Sequence, residues 1–135
     1  MDPVFRKSSI TSFALLLHEL RPVRFPDTPE LDSVTVIELK RDIRHNAEAL
    51  ISYCYFKLRI PGTLDPDEKL ILNQLLLDAH QVRSECGKVS VNFIQPKHRR
   101  ILSRLSDAYY QMRLAAIIVC QQSEPTLIDS LTITL

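Results

Sequence analysis

Asp42-x-x-His45 places an oxygen and a nitrogen ligand one helical turn apart, a spacing from which metal centres in helical bundles are assembled. Such a centre also draws carboxylates and Glu-x-x-His pairs from other helices, and no Glu-x-x-His occurs in the chain. His18 and His80 lie beside apolar runs without a spaced partner, which suits histidines that serve packing or capping. Cys54, Cys86 and Cys120 have no adjacent histidine to activate a thiolate, and no serine sits in a Gly-x-Ser-x-Gly turn. Phosphate-cradling loops and dinucleotide fingerprints are missing as well. These residue types and spacings lead us to expect no catalytic site, no metal and no cofactor.

Two other groups of side chains could make contacts. Lys97, His98, Arg99, Arg100 and Arg104 form the densest basic cluster, at the start of a predicted helix where cations oppose the helix dipole. An anion or an acidic neighbour, such as the stretch holding Asp27, Glu30 and Asp32, would offset that conflict. Lys97, Arg99, Arg100 and Arg104 are therefore the candidate nucleic-acid contacts, although no aromatic side chain is interleaved to stack on bases. The second group is apolar and aromatic: Tyr109, Tyr110, Met112, Arg113 and Ile117, with Leu131, Ile133 and Leu135 near the C-terminus. Aromatic and methionine side chains bind partners at low entropic cost, and the apolar positions around Ile117, Ile118 and Val119 exceed what one buried stripe needs.

Both groups rest on one long element. Between Pro96 and Gln122 the residues Ile101, Leu102, Leu105, Ala108, Tyr109, Met112, Ala115, Ala116 and Val119 recur every three or four positions, the period of a helix with one buried stripe. Ser8 or Ser9 can cap a first helix over residues 10–20, with Ile10, Phe13, Ala14, Leu17 and Leu20 inward and Leu16 widening that side. Pro22, Pro26 and Pro29 make a stiff extended connector, pinned by Phe25 and Leu31. A second helix, capped by Asp32 or Ser33, runs to about Ile60 and buries Val36, Leu39, Ile43, Ala47, Leu50, Cys54 and Leu58 before Pro61-Gly62 stops it. Asp65-Pro66-Asp67-Glu68 is an N-cap, a first-turn proline and a glutamate three residues on, so a third helix starts at Pro66. It turns Leu72, Leu75, Leu76, Ala79 and Val82 inward and ends near Cys86, with Gly87 as a left-handed cap. Val89, Val91 and Phe93 alternate with polar residues, which fits a short strand or an extended connector, and Leu131, Ile133 and Leu135 alternate likewise, so the two could pair or the second could stay an open edge.

The bulk composition agrees. A chain of 135 residues, 45% apolar and 24% charged, suits one domain with its own core, and two glycines are too few for a sheet of tight hairpins. Lysine plus arginine (17) nearly balance aspartate plus glutamate (16), so no global field draws the chain to nucleic acid or membrane. Three widely spaced cysteines are no disulfide framework and suggest a reducing compartment, cytoplasmic or nuclear. No secretory leader pattern and no run of ~18 apolar residues for a membrane span is found.

The proline segment Phe25-Pro-Asp-Thr-Pro-Glu-Leu31 after a short helix, a long helix, and then Leu105-Ser-Asp-Ala-Tyr-Tyr-Gln-Met-Arg-Leu114 together resemble the helical domain of GINS subunits, which form a four-subunit helicase accessory complex. The resemblance covers about half the chain and implies that Tyr110, Arg113 and Leu114 belong to a subunit-packing helix. The expectation is thus an all-α bundle of about four helices with at most a short two-stranded element, one domain over 1–135 with residues 126–135 as an extended tail. Its expected role is a non-catalytic interaction or assembly subunit, bound to a protein partner or to itself, with nucleic-acid binding as the alternative.

Overall fold

Two side-chain caps start helices where an orphan backbone amide needs an acceptor. Ser12 Oγ accepts from Leu15 N–H at 3.3 Å, and Asp65 Oδ1 accepts from Glu68 N–H at 2.8 Å with Pro66 in the first turn. The computed structural model describes residues 12–25, 33–60, 62, 64–89 and 96–135, and of Ser33 and residues 96–99 the backbone alone. Within these, the chain is all-α. It comprises α1 (Phe13–Glu19), α2 (Ser33–Arg59), α3 (Pro66–Lys88), α4 (Pro96–Ser123), a 3-10 turn (Pro125–Leu127) and α5 (Ile128–Thr134).

The three long helices run up, down and up. Near the start of α2, Lys40 Nζ donates to the Val89 carbonyl at the end of α3 (3.0 Å), and Cys86 Sγ lies 3.6 Å from the Lys40 carbonyl. At the opposite end Lys57, Glu68 and Ser123 line one depression, so the end of α2, the start of α3 and the end of α4 meet there. The predicted stripe of α2 is buried from Val36 to Cys54, with Leu58 packed at its margin; that of α3 is buried at Leu72, Leu75, Ala79 and Val82. Gly62, at φ +75°, takes the left-handed conformation that lets the chain reverse between α2 and α3.

Several expectations change. The first helix is capped by Ser12 and buries Phe13, Leu16 and Leu20, while Ala14 is exposed; Ser8, Ser9 and Ile10 lie outside the described residues. Gly87 is helical. Its helix continues to Lys88, and Val89 closes it in extended conformation, with its N–H bonded to the Cys86 carbonyl, because Val89 itself is buried. No strand occurs among the described residues, and Val91 and Phe93 fall outside them. Residues 126–135 are no extended tail: they form the 3-10 turn and α5. Leu131 is 0% exposed and Ile133 83%, as a helix that buries only one side requires.

Candidate interaction surfaces

A buried polar joint fixes the orientation of α4. Asn46, on α2 and fully buried, grips the chain after α1 like a strand: its Oδ1 accepts from Arg21 N–H and its Nδ2 donates to the Arg21 carbonyl, each at 2.7 Å. The same Nδ2 donates to Tyr109 Oη at 3.1 Å, and Phe25 packs on the Tyr109 ring at 5.7 Å. Three of the four hydrogen-bonding positions of the amide are thus used, as a buried amide demands. Burial pushes the Tyr109 hydroxyl up to about 12, against the opposing pull of Asn46 and Arg113.

With Tyr109 locked inward, the helical period decides the opposite face. Tyr110, Leu114 and Ile118 follow at four-residue steps and are 55, 36 and 46% exposed. Leu114 stands two residues from buried Met112 and from buried Ala116, about 200° around the helix in each direction measured along the chain. Exposed Asp107, Gln111 and Gln121 frame this apolar stripe with polar groups. The outer face of α3 differs, because exposed Leu70 and Leu77 stand apart with Asn73 and Gln74 between them.

The expected partner-binding residues therefore divide. Tyr109, Met112, Leu131 and Leu135 are buried in the chain's own core and cannot meet a partner without unfolding. Arg113 is spent internally, its Nη2 donating to the Thr132 carbonyl at 3.2 Å and strapping α5 to α4. Ile117 is half-buried against the core, and Tyr110 and Ile133 are open. Leu114, expected only through the GINS resemblance, and Ile118, expected only as part of the apolar excess around Ile117 and Val119, join Tyr110 in one open stripe; the signal that links the three is their four-residue spacing on the side away from the core.

The cations are not scattered evenly. Arg100 and Arg104 are exposed on the first turns of α4 and form no ion pair with a described residue; the side chains of Lys97 and Arg99, and the stretch with Asp27, Glu30 and Asp32, lie outside the description. Lys40, Arg41 and Arg44 on α2 and Arg83 and Lys88 on α3 belong to the same end of the bundle. Asp65, Asp67 and Glu68 begin α3 at the other end, with Glu124 and Asp129 beyond α4. That end also carries Lys57, Arg59 and Lys69, so a net charge of +1 conceals one end rich in cations and one of mixed sign.

At the basic end a groove of about 510 Å³ is lined by Arg21, Lys40, Arg41, Arg44, His45 and Glu48 over Val36, Ile37 and Val89. Sequence spacing does not reveal it, because Arg21 is brought to α2 by contacts with Asn46 and Asp42 more than 20 positions away. Asp42 Oδ1 holds Arg21 Nη1 at 3.3 Å and Arg41 Nε at 3.7 Å. His45 Nε2 is 2.6 Å from the Glu19 carbonyl, so Asp42 and His45 serve the α1–α2 joint. Among the described residues no group of three or more His, Cys, Asp or Glu is placed to hold a metal ion. The thiols are buried and free, with Cys54 pushed up to about 12 and Cys86 to about 11 by burial, which disfavours thiolates. No described helix is long and apolar enough to cross a membrane. No protein family, curated protein or solved structure matches the chain.

Proposed function

We propose that this protein is a non-catalytic assembly subunit that presents the outer face of α4 to another protein. The observation that carries the reading is the run Tyr110–Leu114–Ile118: three large side chains on successive turns, open to water and framed by polar residues. Single exposed leucines are ordinary on a protein surface, whereas a contiguous aromatic and aliphatic stripe on a rigid helix suits helix-face recognition. The buried, unactivated thiols favour a binding role over thiol catalysis. The GINS-like reading of residues 25–31 and 105–114 would make the partner another helical subunit, with Tyr110 and Leu114 at the contact. Buried free thiols also favour an intracellular, reducing setting.

The test replaces Leu114 with a photo-crosslinking benzoylphenylalanine in the full chain, expressed in its own cells, with Arg83 replaced likewise as a control. A discrete crosslinked protein from position 114, absent from position 83 and lost when Tyr110→Glu is added, is the expected result. Crosslinks equal at both positions would remove the α4 face from consideration.

A further inference from the structure

We infer that the groove on α2 is a second docking site, separate from the α4 stripe, for a short acidic segment of a partner protein that carries an aliphatic side chain next to its carboxylates. Lys40, Arg41 and Arg44 crowd one side of α2 at three- and four-residue spacing, a like-charge arrangement that destabilises a helix unless anions offset it. Asp42 answers only part of this. It holds Arg21 and Arg41 from one side and leaves their side chains 43 and 63% exposed. Arg44 is exposed and has no hydrogen-bond or ion-pair partner among the described residues. The floor of Val36 and Val89, continued by exposed Ile37, supplies an apolar strip beside the cations.

Charge and shape together select the occupant. Carboxylates from the partner would find Arg41 held by Asp42 and Arg44 open to pair, while its aliphatic group covers Ile37. No phenylalanine, tyrosine or tryptophan lines the groove, so bases have no stacking platform. Glu48 closes one rim, where a continuing phosphate backbone would meet a like charge but a short acidic segment would simply end.

Fluorescence anisotropy of the full chain with a labelled peptide carrying glutamates and leucines at helical spacing provides the test. Its Gln-for-Glu counterpart and a single-stranded oligothymidine serve as the other probes. We expect the acidic peptide alone to bind, with affinity falling as salt rises. Arg41→Glu with Arg44→Glu should weaken it at least about tenfold, whereas Arg100→Glu with Arg104→Glu, and separately Leu114→Glu, should leave it within about twofold. The Leu114→Glu arm separates this site from the α4 reading, and a thermal melt verifies that each exposed variant is folded. The inference is overturned if the acidic peptide does not bind, if the Arg41/Arg44 variant binds as well as the unaltered chain, or if oligothymidine displaces the peptide. Binding that requires neutralising Asp27, Glu30 and Asp32 overturns it too, since the chain's own acidic stretch would then be the occupant.

Discussion

Tyr109 and Tyr110 are neighbours in the chain and opposites in role. Tyr109 is buried, accepts from Asn46 and is faced by Phe25; Tyr110 is open to water at the head of an apolar stripe. Identical chemistry one residue apart, about 100° around a helix, serves folding on one side and contact on the other. Residue type alone therefore does not mark a binding surface. What marks it is an apolar residue that the fold has no use for.

That contrast can be broken most forcefully at Asn46. Asn46→Ala would leave the Arg21 N–H and carbonyl and the Tyr109 hydroxyl without their partner, and we expect a loss of about 2–4 kcal/mol in urea unfolding. A stability change below about 0.5 kcal/mol would mean that water replaces the amide and that the joint does not set α4's orientation. Alkaline pH probes the same interior more gently. Tyr53 and Tyr109 are pushed up to about 12 from 10, and Cys54 to about 12 from 9, mainly by burial. In the unfolded chain these groups lose protons from about pH 9–10 onward while the folded chain keeps them, so stability is complete below that range and is lost as pH rises toward about 12. The urea midpoint should be lower at pH 10.5 than at pH 8, and an unchanged midpoint would contradict the burial of these groups. The smallest effects sharpen the pair itself. Tyr109→Phe should cost about 1 kcal/mol through the lost hydrogen bond, whereas Tyr110→Phe should stay within about 0.5 kcal/mol.

Much of the architecture was readable beforehand because burial and local capping gave one answer. The Asp65-Pro66 start, the Gly62 reversal and the inward stripes of α2, α3 and α4 all follow from side chains one helical turn apart or from backbone chemistry at a single residue. Part of the surface was readable too, since Tyr110 belongs to the open face. Leu114 and Ile118 were noticed there for separate reasons but not joined to Tyr110 in one stripe, because an apolar residue counts equally toward a core and toward a contact until the core is known.

The C-terminus shows where local information stops. Apolar residues at 131, 133 and 135 fit a strand with all three on one side, or a helix with 131 and 135 inward and 133 outward. Docking on α4, with Arg113 bonded to the Thr132 carbonyl, selects the helix. For α2, α3 and α4 the sequence by itself determined that the stretch coils and which of its sides avoids water, because those properties arise within a few neighbouring residues. Only the tertiary structure decided that Arg21 meets Asp42, that Lys40 reaches Val89, and that Tyr109 closes on Asn46 while Tyr110 stays free. These choices depend on free energy gained between residues 21 to 63 positions apart, which no local pattern encodes.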